Sequence, residues 1–455
     1  MANTTEEEKN SSDGVDLQVE MAYEILSRLP VKSLMRFKCV SKHWLSIIKD
    51  DNYFIDLYHS RSKLRPCLVL FVPIYIKPNI PKDSFIMCIH PRPNQDNLLI
   101  ADLCEGVGRV GTRDTKVAHN VRKTTSIEFD KVIEKETLCY DGILKPVNEY
   151  GVCIYNIGTR ELTPWISTGL RSYGVNVNPK YQFGFDPATK KHKVICLWKL
   201  RRWPRRDSHR VYVGCNILTL GDNTWRTINI HEVPHYDLVD DSYSRPYGSV
   251  YVNGSIYWIA CQLASKRHCG EKVIVAFDVG SEKFRTIVVP KFITNQILDD
   301  TEYTSSNFSE DLLEVNNCVA LYTRLPGGYI VKLWILDCDD NHKKDVSTNC
   351  NQHWTETTIE LPFQWDNKRK VVFHGIPGTD EIIIETYEDS RSINGIAVVS
   401  YSWKSMTFRE VESDELNHLN SPIEFSERSV YMCSTINQSL FPLQRKSAQE
   451  KEKAS

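Results

Sequence analysis

Three clusters in this sequence hold side chains of types that do chemistry. Cys338, His342, Cys350 and His353 bring two thiols and two imidazoles, all zinc-ligating groups, into one short stretch. Their order, Cys-x3-His-x7-Cys-x2-His, and the polar loop between them match no common zinc module, so no metal is assigned. Gly106, Gly108 and Gly111 spell G-x-G-x-x-G after the apolar run LLIADLC. That pattern cradles a pyrophosphate only when a helix comes next and aims its N-terminus at the phosphates. The residues after Gly111 are TRDTKVAHNVRKTTS, without an apolar helical face. A glycine-rich loop is expected, and no cofactor. The third cluster is KLRRWPRR, where Lys199, Arg201, Arg202, Arg205 and Arg206 flank Trp203 and Pro204. The proline argues against a continuous strand or helix, so the stretch reads as a loop. Arginine and tryptophan dominate binding hot spots. Arg201, Arg202, Trp203, Arg205 and Arg206 are therefore candidates for binding an anionic target, or a nuclear address, against the plainer alternative of a solvated connection. No G-x-S-x-G, H-E-x-x-H or phosphate loop occurs, and no catalytic residue is assigned.

The whole chain bounds what these clusters can serve. Its 455 residues carry a net charge of −2, so no global field draws it to nucleic acid or a membrane surface. Hydrophobic residues make up 41% and charged residues 25%, the composition of a globular chain with ample core. No run of about 18 apolar residues is present to span a bilayer. The opening MANTTEEEKNSSDGVD is acidic and polar, unlike a secretory signal. Residues 1–15 are expected to be a disordered lead and 444–455 a disordered tail. Fourteen cysteines without a C-x-x-C pair read as reduced thiols of a cytoplasmic or nuclear protein.

Two kinds of element are expected to position these residues. Met21, Ala22, Ile25, Leu26 and Leu29 recur at three- and four-residue spacing, one apolar stripe of a helix. Pro30 ends it and suits the start of the next. Leu34, Phe37 and Val40 repeat the stripe, Ser41 is placed to cap a third helix carrying Trp44, Ile47 and Ile48, and Asn52 to cap a further turn through Tyr53, Phe54 and Leu57. A unit of about 40 residues cannot bury all these side chains internally. They must pack either on the chain's own remaining domain or in a partner's groove.

Glu24-Ile-Leu-Ser-Arg-Leu-Pro-Val-Lys-Ser-Leu34, then Arg36-Phe-Lys-Cys-Val-Ser-Lys42 and Trp44, resemble an F-box of the plant type. The resemblance covers residues 16–60 and implies three helices that dock on the Skp-type adaptor of an SCF ubiquitin ligase. It maps adaptor contacts to Leu26, Leu29, Pro30, Val31 and Leu34, with Val40 and Trp44 partly in contact and partly core. Where the family opens with Leu-Pro, this chain has Leu17-Gln18.

From Leu64 onward, short runs rich in Val, Ile, Tyr, Phe and Trp alternate with Gly, Asn, Asp and Ser. A hairpin unit recurs about every 60 residues, its outer strand marked by Leu162, Trp225, Phe284, Trp354 and Phe408. Inner hairpins turn at Asn253-Gly254 and Asn316-Asn317. The period predicts an all-β domain over 64–443, a β-propeller of about six blades, with a two-sheet sandwich as the alternative. Five units fit between Ile127 and Glu412, and strands from both ends supply the sixth. Cys139-Tyr-Asp-Gly142, YQFGFDPATKKHKVICL, TWRTI, VNGSIYWI and FDVGSEKF resemble the F-box-associated, kelch-like domain of plants.

The combined resemblance implies a non-catalytic, substrate-recognition subunit. The F-box would meet the adaptor, and through it cullin and RING subunits, while the β domain holds an unidentified target protein. No nucleic acid, membrane or cofactor is implied. The competing readings are a propeller enzyme or ligand receptor braced by the helices, and an F-box scaffold outside any ligase. An S-locus type of F-box protein is a subcase of the first.

Overall fold

The computed structural model describes residues 19–62, 67–76, 80–91, 99–104, 127–134, 137–144, 149–156, 163, 166–171, 175–202, 211–222, 224–228, 236–238, 249–265, 268–297, 312–325, 327–336, 353–364, 369–375, 381–388, 397–402, 405–410, 431–436 and 440. The Gly106–Gly111 stretch, Leu162, Trp203, Arg205, Arg206, Cys338, His342 and Cys350, and the expected lead and tail lie outside these residues.

Helices come first. They are α1 (residues 19–26), α2 (Val31–Phe37), α3 (Lys42–Asp50) and α4 (Asn52–Ser62). There are thus four, not three. Pro30 occupies the N-cap of α2 and Ser41 caps α3, its hydroxyl accepting from the Trp44 amide at 3.2 Å. The fourth helix is capped one residue earlier than expected, by Asp51, whose carboxylate accepts from the Phe54 amide at 3.1 Å. Val40 does not extend the α2 stripe, because the helix stops at Lys38 and Val40 stands in the turn beyond it.

The described strands form six antiparallel sheets. Sheet I orders β25 (Tyr431–Ile436), β1 (Cys67–Ile76), β2 (Ile80–Pro91) and β3 (Leu99–Cys104), so a C-terminal strand pairs with an N-terminal one. Sheet II holds β4 (Ile127–Glu134), β5 (Thr137–Leu144), β6 (Glu149–Asn156) and β7 (Ile166–Arg171). Sheet III holds β8 (Val175–Asp186), β9 (Lys191–Arg202), β10 (Val211–Thr219) and β11 (Trp225–Thr227). Sheet IV holds β12 (Tyr236–Leu238), β13 (Ser249–Val252), β14 (Ser255–Ser265), β15 (His268–Asp278) and β16 (Lys283–Val288), and α5 (Lys291–Ile297) comes after it. Sheet V holds β17 (Leu312–Val315), β18 (Cys318–Arg324), β19 (Ile330–Leu336) and β20 (Trp354–Glu360). Sheet VI holds β21 (Arg369–Gly375), β22 (Glu381–Glu388), β23 (Ala397–Ser402) and β24 (Thr407–Glu410).

The strands of sheets III, IV and V are apolar on both sides because each of these sheets is covered on both faces. Along β9, Val194 and Cys196 enter a core shared with sheet II, while Ile195 and Leu197 enter one shared with sheet IV. The same division continues between sheets IV and V and between V and VI. Each fully buried aliphatic or aromatic side chain contributes roughly 1.5–3 kcal/mol. Trp225, Trp354, Phe284 and Phe408 stand at the start of their outer strands and pack on these cores. The inner turns form as their residues demand. Asn253, Gly254, Asn316 and Asn317 all have positive φ, the geometry of a two-residue hairpin.

Candidate functional site

The helical unit holds a core of its own and shares it with the β domain. Leu26, Val31, Leu34, Ile47, Ile48, Phe54, Ile55 and Tyr58 are buried together with Phe185 of β8 and Leu440. A chain of rings crosses the junction. Tyr23 lies 5.6 Å from Phe54, and Phe54 lies 6.3 Å from Tyr58. One residue on, His59 lies 5.8 Å from Phe185, which in turn lies 5.0 Å from His192 of β9. Asp56 forms an ion pair with Lys190 in the β8–β9 turn, and the Tyr251 hydroxyl donates to the Phe185 carbonyl at 2.6 Å. Within the unit, Arg61 of α4 ties to Glu24 of α1 and to the hydroxyl of Ser27 in the turn after it. The Tyr23 hydroxyl donates to Asp51, and burial with that carboxylate beside it pushes the phenol up to about 12.

The residues assigned to the adaptor divide in two. Leu26 is 1% exposed, Leu34 is 0% exposed, and Val31 is equally sealed. These three lie in the core that the helices share with Phe185 of the β domain, and reaching them would open that core. Leu29 and Trp44 are half-buried, Trp44 against Phe37 at 5.0 Å. Pro30 is exposed, and Val40 is 62% exposed. The resemblance assigned no adaptor contact to the other exposed apolar residues of the unit. These are Met21, Ile25 at 57%, Leu45 and Tyr53. On α1 the stripe is split between neighbours: Ile25 faces solvent and Leu26 faces the core.

The basic loop starts later than expected. β9 continues to Arg202, with Arg201 paired to Val211 and Arg202 paired to Val175, so Lys199 to Arg202 are strand and not loop. The register of a long β9 carries the pairing as far as Arg202. No group of three or more His, Cys, Asp or Glu side chains placed to hold a metal occurs among the described residues.

Residues 16–56 match the F-box domain, and residues 110–437 match the F-box associated beta propeller domain. The chain belongs to the F-box proteins that carry this propeller. This F-box protein is 25% identical over 409 residues to the F-box protein DOR of Arabidopsis thaliana, covering 87% of each chain. It is 28% identical over 334 residues to the putative F-box protein At1g47790 of the same plant, covering 71% of this chain and 69% of the relative. It is 26% identical over 382 residues to the F-box protein At5g65850, covering 81% and 78%. A puromycin-hydrolysing peptidase of Mycobacterium tuberculosis aligns at TM-score 0.31 with 9% identity, over 75% of this chain and 46% of that chain, and carries no argument. The F-box segment of this protein is the unit of α1 to α4, and the sheets belong to its propeller.

Proposed function

We propose that this F-box protein is the substrate-recognition subunit of an SCF-type ubiquitin ligase, working in the cytoplasm or nucleus. The observation that carries the reading is the division of the F-box. One set of its apolar residues is used on the propeller, and a second set stands in solvent. In this reading the exposed set, Ile25, Pro30 and Val40 with the half-buried Leu29 and Trp44, meets the Skp-type adaptor, which links to cullin and RING subunits. Desolvating such a set is a driving force for docking. The propeller holds a target protein, with the end of β9 and the Arg-rich connection after it among the contacts. Ubiquitin transfer then proceeds through proximity, and the chain supplies no reacting group.

We take the six sheets as six blades in a closed ring. β25 completes sheet I, and neighbouring sheets meet through β25 and β4, β4 and β8, β8 and β14, β13 and β17, β17 and β21, and β21 and β25. That ring spans 64–443 and the F-box unit 16–60. Closing the ring ties the first blade to the last and suits a rigid platform, with only short strand edges left at its rim.

The test is co-purification with a Skp-type adaptor. Ile25→Asp/Val40→Asp is expected to weaken binding at least about tenfold with the melting temperature unchanged, because both side chains are exposed. An intact chain that binds no adaptor rules the reading out and leaves the F-box as a brace.

A further inference from the structure

We propose that Leu440 latches the F-box to sheet I, so that the seating of the helices and the pairing of β25 with β1 form one event. Such a latch goes beyond the ligase reading and does not depend on it.

Leu440 comes four residues after Ile436, the end of β25, and among the described residues it is the one that follows that strand. It is 5% exposed and belongs to the core of Leu26, Leu34, Ile48, Phe54 and Phe185. An apolar side chain just past the C-terminal strand of sheet I is thus sealed inside the helical unit. The F-box is joined to the same sheet from its other side. β1 begins at Cys67, five residues after Ser62, the buried end of α4. Cys67 and Ile436 are register partners, so both connections start from one end of the sheet. An extended chain covers at most about 3.6 Å per residue, which puts Leu440 within about 14 Å of Ile436 and Ser62 within about 18 Å of Cys67.

These short spans couple the two events through chain entropy. Pairing of β25 with β1 holds Ile436 close to the F-box, so burying Leu440 then orders only the few residues between them. Burial of Leu440 in turn restrains the end of β25 and favours its register with β1. Each event lowers the entropic cost of the other, which is positive coupling. The effect reaches past sheet I, because β25 also meets β21 of sheet VI and β4 of sheet II. A chain that lets Leu440 out of the helical core therefore loosens both the F-box and the junction of these three sheets.

Hydrogen exchange on the full chain, read by mass spectrometry, is the test. Leu440→Ala is expected to speed exchange of the α4, β1 and β25 amides about tenfold or more, while β14, β15, β18 and β19 stay within about threefold of the parent. Leu440→Met keeps the volume and is expected to hold all of them near the parent rates. Phe185→Ala acts from the opposite side of the same core and is expected to group α4, β1 and β25 in the same way. Ile293→Ala is the control, a sealed residue of the core between sheets IV and V, and is expected not to single out these three elements. If Leu440→Ala fails to fold, Leu440→Val gives a milder form of the same readout. Exchange that rises equally in every sheet makes Leu440 an ordinary contributor to global stability and overturns the proposal. So does an α4 that opens while β1 and β25 keep the parent rates, which separates F-box seating from strand pairing. An unchanged pattern overturns it too, as does the same grouping after Ile293→Ala, which marks these elements as merely the least stable part of the chain. Adaptor binding is not read in any arm, so a failure here leaves the ligase reading standing.

Discussion

His192 stacks on Phe183 at 5.4 Å with its ring nearly parallel, meets Phe185 at 5.0 Å, and is buried. Burial, with the charge of His59 as the lesser cause, pushes its imidazole down to about 3. Unfolded, the same group takes a proton near 6.5. Between these values the unfolded chain binds the extra proton, so stability falls as pH drops through the window, by up to ~1.4 kcal/mol per pH unit. Above the unfolded value neither state is charged, and the group adds no pH dependence. Urea unfolding at pH 7.5 and pH 5.0 measures this. His192→Phe is expected to be less sensitive to acid than the parent chain, and an unchanged acid slope assigns the effect to other groups. Residue by residue, the F-box makes a second prediction. Leu26→Ala and Leu34→Ala each remove a sealed side chain and are expected to cost about 2–5 kcal/mol of stability. Under the proposed docking, a loss of adaptor binding in these variants is expected to come with a lower melting temperature, whereas Ile25→Asp is expected to lose binding without it.

Between elements, sheets III and IV are joined by a buried charge cluster. The Lys193 ammonium donates to the Val279 carbonyl at 2.7 Å and to Glu282 at 2.9 Å, and it lies 3.3 Å from Asp186. Glu282 also pairs with Arg226. Asp186 is held further by the Ala188 amide and the Thr189 hydroxyl. Removing the lysine leaves the buried Asp186 carboxylate without its cation, so Lys193→Met is expected to cost about 3–5 kcal/mol. Chemical denaturation measures it, and a cost below about 1 kcal/mol would show that the cluster is well solvated in solution. Only the Asp186 side of this lies within YQFGFDPATKKHKVICL; the rest was not legible there, because Val279 and Glu282 come from a turn nearly 90 residues later. What was legible is local: the Asn-Gly and Asn-Asn turns, the capping serine, and the aromatic residues that open outer strands each state their geometry within a few positions. The long β9 was misread for the opposite reason. Pro204 is a valid breaker, but pairing persists to Arg202, just short of it.

Across the whole molecule, the deciding contact lies between F-box and propeller. Apolar periodicity showed that the helices carry more apolar surface than they bury alone, and it left open whether chain or partner covers the rest. In the structure the chain covers one part of it, and another part stands in solvent. Phe54, Ile55 and Tyr58 join Phe185 in the shared core, and Ile25 and Val40 remain outside it. Neither Phe185 nor Lys190 announces this role, since both lie in a strand and turn that read as ordinary propeller sequence. A shared core makes the two parts one body, so in the proposed function the distance from adaptor to target surface would be set by the fold and not by a linker. The exposed Lys190–Asp56 pair contributes little to this, within about 1 kcal/mol. The weight rests on Phe185, and Phe185→Ala is expected to cost about 3–5 kcal/mol. Beyond that loss, it separates two transitions that are one in the parent chain. In hydrogen exchange, amides of α4 are expected to open before those of β9 and β14 in the variant and together with them in the parent. If α4 already opens independently in the parent chain, the F-box is tethered and not docked, and the geometry from adaptor to target is free to vary.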